Sequence, residues 1–458
     1  MSVDTSPQVR GAARATYLAF IGSGAVMASW AARIPQIRDG LGLSPSRLGL
    51  VLLAIATGSI VSLVLSGQLV THFGSRRIVT AMAGLMGVAI VIVAIGYQIG
   101  VLPVVVGLAI FGFSIGAWDV AMNLQGTVVE RRLGRAIMPR FHAGYSVGTV
   151  GGALVGTAAV ALHVPVTAHL IAAAIIVTAI VVFSVRGFVS DSSADTLPAA
   201  GPVPAAVPAE KSAAMSAGEP ADAATGPPTG WSAVGGSGEV PGGKPGGFRR
   251  ALATWREPRT LLIGVFVLAF AFTEGAGIDW ISVAVIDDYG APATVGALAF
   301  ATFLSTMTVG RWFGPALLDR YGRVPVVRAL AVVSLVGLVL FVFGPNVPVA
   351  FVGALLWGTG ASLGFPVGMS AAADDPAHAA ARVSVVASIA YFAFLGGPPL
   401  IGFLGDRFTV LNGLLAVAVL LGVAIALSGV IKPLTPQRPV PPPEAGQPPV
   451  SQTARATP

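Results

Sequence analysis

The stretch Leu317-Leu318-Asp319-Arg320-Tyr321-Gly322-Arg323 is a short charged turn set between two long apolar runs. A turn of the same build, Leu69-x-x-x-x-Gly74-Ser75-Arg76-Arg77, lies 248 residues earlier, counted from Gly322 back to Gly74. Gly112-x-x-x-Gly116 and Gly360-x-x-x-Gly364 stand at the same 248 spacing. Pro45, Gly49 and Gly67 match Pro292, Gly296 and Gly314 at 247. Landmarks at a near-constant offset indicate one structural unit used twice.

The apolar runs around these turns fix the class. The chain has 458 residues, 54% of them hydrophobic and only 10% charged, with a mean hydropathy of +0.81. Ordinary soluble domains carry about a quarter charged residues, so the chain reads as a polytopic membrane protein. Windows of about 20 apolar residues mark spans. They fall at 15–34, 46–71, 77–98, 101–128, 138–161 and 165–187, then at 259–283, 293–318, 324–344, 347–371, 380–403 and 409–431. The expected fold is all-α, with twelve transmembrane helices in two pseudo-symmetric six-helix bundles. No cleavable signal peptide is evident, because the first apolar run leads into Ala32-Arg33-Ile34-Pro35 without a small-residue cleavage site.

Threading the spans from a cytoplasmic N-terminus sorts the basic residues. Arg33, Arg38, Arg47 and Arg407 fall on the outer side, and the other 23 of 27 Lys and Arg fall on the cytoplasmic side. That asymmetry is the positive-inside rule. It explains a net charge of +7 without nucleic acid, and it puts both termini in the cytoplasm. The expected organisation is a first bundle over 1–187, a disordered cytoplasmic linker over 188–247, a second bundle over 248–432 and a Pro-rich disordered tail over 433–458. The linker composition, rich in Ala, Pro, Gly and Ser, buries too little to fold alone. The basic run that begins Phe248-Arg249-Arg250 and reaches Trp255 suits an amphipathic segment at the inner leaflet.

Polar groups inside spans are the candidates for chemistry. In Gly112-Phe-Ser-Ile-Gly116-Ala-Trp-Asp119-Val-Ala-Met-Asn123, helical spacing puts Asp119 and Asn123 one turn apart on one face. A carboxylate at membrane depth costs a few kcal/mol on lenient scales, so it usually faces a protein interior or a cavity. The plainer alternative is that Asp119 glues helices together or lies in the interface. Glu274 and Asp279 are the other acids within an apolar span, Glu274 roughly 20 Å along its helix from the cytoplasmic end. By depth alone, Arg33 is placed to partner the acids of the seventh span, and Arg140 or His142 to partner Asp119. Arg311 is expected to anchor the neighbouring charged turn. Gly144, Gly148, Gly152 and Gly156 on the fifth span suit close helix packing. Gly396-Gly397-Pro398-Pro399 is expected to interrupt the eleventh span.

The charged turns, the six-plus-six arrangement and the long central loop resemble the major facilitator superfamily over nearly the whole chain. In that family the turn holds the halves together through a carboxylate–arginine and helix-terminus interaction. The resemblance implies that role for Asp319, Arg320, Gly322 and Arg323 in the second copy. The first copy keeps Gly67, Gly74, Arg76 and Arg77 but has Thr71 and His72 where Asp and Arg are expected. Asp119-Val-Ala-Met-Asn123 is similar to the acid-x-Ala-x-Asn pattern of the fucose-permease-like branch, which implies proton coupling at Asp119. Ala31 stands where that branch has an acid on the first span. Blocks such as Met27-Ala-Ser-Trp30-Ala-Ala-Arg33 and Trp357-Gly-x-Gly360-Ala-Ser-Leu-Gly364-Phe-Pro366 are similar to uncharacterised YbjJ-type bacterial permeases.

The chain has no cysteine, its five histidines lack H-E-x-x-H spacing, and it contains no G-x-x-x-x-G-K-[ST] loop. No enzyme, metal or cofactor is therefore expected. The expectation is a monomeric secondary transporter in the bacterial cytoplasmic membrane, contacting lipid, a small solute and protons. The rivals are an exporter of drugs or metabolites with the same fold and a non-transporting membrane sensor or scaffold.

Overall fold

The computed structural model describes residues 6–134, 137–191, 254–375 and 378–434. The expected linker beyond residue 191, Arg135, the basic run with Arg249 and Arg250, and the tail beyond residue 434 lie outside the described residues. Within them the chain is helical. Helices α1 (Pro7–Ala31) and α2 (Ile34–Gly40) form one bent span, at 41°. Then come α3 (Pro45–Phe73), α4 (Ser75–Gly96), α5 (Val101–Leu133), α6 (Met138–Ala161) and α7 (Val166–Ser184). The second set is α8 (Pro258–Asp287), α9 (Ala293–Tyr321), α10 (Arg323–Phe343), α11 (Val347–Ala361), α12 (Gly364–Ala372), α13 (Ala379–Arg407), α14 (Val410–Gly413) and α15 (Leu415–Leu427). Among the described residues eleven helical stretches are long and apolar enough to cross a membrane, twelve with the bent pair.

The two sets pack alike. In the first, α1 lies on α6 and α7, α3 on α5, and α4 on α5 and α7; in the second, α8 lies on α13 and α15, α9 on α11, and α10 on α11 and α15. Between the sets, α3 meets α13 and α6 meets α9. The charged turns open on glycines for a backbone reason. Gly74 (φ +80) and Gly322 (φ +82) sit in a region closed to most side chains. Each ends one span and starts the next.

Glycines also correct the repeat register. Gly112 backs onto the Ile55 carbonyl of α3, and Gly358 backs onto the Phe303 carbonyl of α9. Ile55 and Phe303 are 248 apart, but Gly112 and Gly358 are 246 apart. The partners of Asp119 and Asn123 in the second bundle are therefore Phe365 and Met369, where a constant offset of 248 reaches Val367 and Ala371. Both comparisons land on apolar residues.

The helix breaks fall elsewhere than expected. The α13 helix runs through Pro398 and Pro399 without interruption, held where Gly49 of α3 abuts the Pro398 carbonyl and Gly397 faces Phe272 of α8. The breaks come before Pro35 and Pro366. A helical proline has no N–H for the carbonyl four residues back and its ring crowds that group. Ala31 and Ser362 occupy those positions, and the α1–α2 and α11–α12 junctions follow them.

Candidate functional site

Polar side chains converge where α1, α6, α8 and α9 enclose a cavity. Its walls are Met27, Ala28 and Ala31 of α1, Tyr145 and Thr149 of α6, Glu274 and Ile278 of α8, and Phe300, Leu304, Met307 and Arg311 of α9. Both bundles thus contribute. Glycines make the α1–α6 wall thin, since Gly148 and Gly152 of α6 lie against the Ile21 and Ala25 carbonyls. These two glycines serve packing, as their spacing implies.

The charged centre is Arg311 and Glu274, paired at 2.8 Å with side chains 8% and 7% exposed. Arg311 is thus not a surface anchor of the charged turn. Its Nε also donates to the Ser362 carbonyl, at 3.3 Å, the acceptor that Pro366 leaves without an amide. One guanidinium therefore serves a carboxylate and a broken helix end together. Ionised groups at this depth persist when so paired and hydrogen-bonded. Sequence reasoning missed this role because it ranked Arg311 by its distance from the turn; the signal was the proline four residues beyond Ser362.

Asp119 and Asn123 lie on one face of α5, each 7% exposed. The Asn123 amide donates to the Asp119 carbonyl at 2.9 Å and to its Oδ1 at 3.2 Å. Tyr145 stands within electrostatic reach of Asp119, Glu274 and Arg311, and Tyr391 of α13 within reach of Asp119. His142 is buried with its ring edge-on to Phe20, centroids 5.1 Å apart, and within reach of Arg311. Glu274, Arg311 and Tyr145 thus line the cavity, while Asp119, with Asn123 beside it, and His142 lie within electrostatic reach of that lining.

Other candidates have different surroundings. Arg33 does not meet the acids of α8. Its Nε donates to His169 Nδ1 at 2.9 Å and its Nη2 to the Val164 carbonyl at 3.1 Å, within the first bundle. Arg140 is exposed. Asp279 is half-buried one turn beyond Gly275, which faces Phe394 of α13. Trp280 and Trp357 are wholly buried, and Trp357 packs on Phe303 and Phe341, so neither lines the cavity. Among the described residues no group of three or more His, Cys, Asp or Glu side chains is arranged to hold a metal ion.

Among the described residues the charged turns show no ion pair that bridges the bundles as the resemblance implies. Asp319, Arg320, Arg76 and Arg77 are exposed, with Arg320 over the Tyr321 ring. Arg323 pairs with Asp374 at 2.6 Å, inside the second bundle. In the first, the Asp191 carboxylate accepts from the Ser75 amide at 2.5 Å and caps α4. At the other end polar bonds join the bundles. Arg38 of α2 is paired with Asp287 at the end of α8. Asp406 of α13 accepts from Ser44 Oγ at 3.1 Å and from the Ser46 amide at 3.2 Å. These bonds close the α2 end, while Arg323 and Ser75 of the turns are engaged within their own bundles.

Comparison with known proteins agrees with this architecture. Residues 261–457 match the family model described as Major Facilitator Superfamily. An uncharacterised MFS-type transporter of Yersinia pestis is 27% identical over 399 residues, which cover 85% of this chain and 88% of that protein. The crystal structure of the nucleoside transporter NupG aligns with a TM-score of 0.66 at 12% identity, covering 93% of this chain and 98% of NupG. The E. coli fucose:proton symporter FucP aligns at 0.57 and 15% identity, covering 94% and 100%.

Proposed function

We propose that this chain, a transporter belonging to the Major Facilitator Superfamily, moves a small solute across the bacterial cytoplasmic membrane by alternating access, coupled to protons. The observation that carries this reading is the buried Glu274–Arg311 pair on a cavity wall shared by the two bundles. Ionised side chains inside a membrane are costly and cluster on solute and proton paths. Binding near the interface of two repeats, beside broken helices, is the arrangement that rocking transporters use.

In this reading residues 1–187 and 248–432 rock against each other about the cavity, joined by the segment 188–247. The N-terminus faces the cytoplasm, so the α2 end is the outer face and the arrangement described is closed to the outside. Proton binding at Glu274 removes the negative partner of Arg311 and frees the guanidinium for a solute. Asp119, oriented by Asn123, is the second exchangeable carboxylate, and Tyr145 and His142 are the polar groups between the two. The working unit is one chain in lipid.

The test has two stages. Untargeted metabolite comparison of overexpressing and deletion cells identifies the solute. Proteoliposomes with an imposed pH gradient then measure its accumulation. Asp119→Asn and Glu274→Gln are each expected to leave folded protein in the membrane and abolish gradient-driven accumulation. Undiminished accumulation by both variants overturns the proton-coupling assignment.

A further inference from the structure

Arg33 and His169 form a buried contact that the solute site does not use. Arg33 is the N-cap residue of α2 and stands at the bend of the first span. It is 2% exposed, and His169, on the first turn of α7, is 6% exposed. Arg33 is held by two neutral acceptors, His169 Nδ1 and the Val164 carbonyl. No carboxylate pairs with it among the described residues.

The imidazole can accept that bond only when uncharged, because both ring nitrogens of a protonated histidine are donors. The second nitrogen, Nε2, is buried with no partner, so the Nδ1 bond is what ties this ring to the bend. On α6 the ring meets Gly156, which also abuts Ala32. The titratable groups nearby are Tyr97, at the end of α4, within electrostatic reach of Arg33 and packed on Gly40, and the exposed His163, next to Val164 on the turn before α7. A charge on His169 would face Arg33 directly.

The bend connects to the closure. From Arg33 the short helix α2 leads to Arg38, which is bound to Asp287 on the other bundle. The next turn leads to Ser44 and Ser46, which are bound to Asp406. A helix is stiff over so short a length, so rotation at Arg33 moves Arg38 with it.

We propose that His169 is a pH-responsive positioning residue: neutral, it fixes the Arg33 bend and holds the α2 end closed; protonated, it releases Arg33 and favours opening at that end. The sign follows from the bond. A proton can enter the closed arrangement only by breaking it, so the closed arrangement loses ground to the open one as pH falls below about 6.5, the value of a free histidine. This inference rests on the alternating-access reading, and on the α2 end facing outward for its link to an acidic exterior.

The chain lacks cysteine, so paired cysteines can be introduced cleanly. Arg47→Cys and Asn412→Cys place spin labels at exposed positions on the two bundles at this end. In lipid nanodiscs, lowering the pH from about 7.5 to about 5.5 should raise the ratio of long to short distances by about tenfold, as one linked proton permits. His169→Asn, which keeps an acceptor near the Nδ1 position but does not titrate, should stay closed at both pH values. Arg33→Gln, which removes the guanidinium donor, should be partly open at both. A wild-type response retained in His169→Asn overturns the proposal. Two distance populations in proportions indifferent to pH also overturn it while leaving alternating access intact, and one population under all conditions sinks both readings.

Discussion

Arg38 on α2 and Asp287 at the end of α8 form a bidentate ion pair between residues 249 positions apart, one on each bundle. Asp39 accepts from the same guanidinium at 2.6 Å and 2.8 Å. The arginine is largely buried, while Asp287 is 32% exposed. The closure at the α2 end is therefore a specific contact that substitution can weaken without touching the cavity.

Arg38→Gln should shift the resting population toward opening at this end. Hydrogen bonds to charged groups contribute about 1.5–3 kcal/mol, so the closed-to-open ratio should fall roughly tenfold or more. Thiol labelling of a cysteine introduced at Ile278, on the cavity wall, reads this from the side of the α2 end. Labelling as slow as in the parent would show that the pair does not hold the closure.

Glu274→Gln and Arg311→Gln separate stability from transport. Removing one member of a buried pair leaves the other uncompensated, at about 3–5 kcal/mol. Each single variant should therefore melt lower in detergent. The double variant should recover much of that loss, because no unpaired charge remains, yet should not regain gradient-driven accumulation. A double variant as unstable as Arg311→Gln would assign the loss to the Ser362 carbonyl instead.

Gly49 has no room to grow. A Cβ there would lie 3.0 Å from the Pro399 Cα and closer still to the Pro398 carbonyl, and those are backbone atoms that cannot step aside. Gly49→Val should disfavour the closed α2 end and raise labelling of the same reporter. Gly84→Val, at a site with nothing near its Cβ position, is the control and should leave labelling unchanged.

Glu257, just before α8, links stability to acidity. Burial pushes its carboxyl up, but hydrogen bonds from Arg382 and Thr260 and the charge of Arg382 outweigh it and hold the group below its ordinary value. A depressed carboxylate stabilises the fold above its unfolded value near 4.5 and loses that contribution as pH falls through its folded value. Melting temperature should drop across this acid window in the parent and change less in Glu257→Gln. An equally steep drop in the variant would place the acid sensitivity elsewhere.

Much of this architecture was legible in the chain. Span positions followed from apolar run length, because no stretch of about 20 such residues is tolerable in water and the bilayer fixes how many suffice. Gly74 and Gly322 marked equivalent turns because a positive φ excludes most other side chains. Asp119 and Asn123 could be paired because helical geometry makes positions four apart neighbours.

What the chain alone did not determine was contact across elements distant in sequence. The partner of Arg33 was sought on α8 by depth, yet it is His169, because the bend before Pro35 turns that arginine toward α7. Arg311 was assigned to the charged turn, yet it reaches Glu274 and the carbonyl freed by Pro366. Depth along a helix gives one coordinate; the azimuth of a side chain, and so its partner, depends on how the helices pack and where they break. The sequence determined which residues cross the membrane and which carry charge there. Only the tertiary structure decided that Glu274 and Arg311 share one cavity wall, and that Arg38 and Asp287 close one end over it.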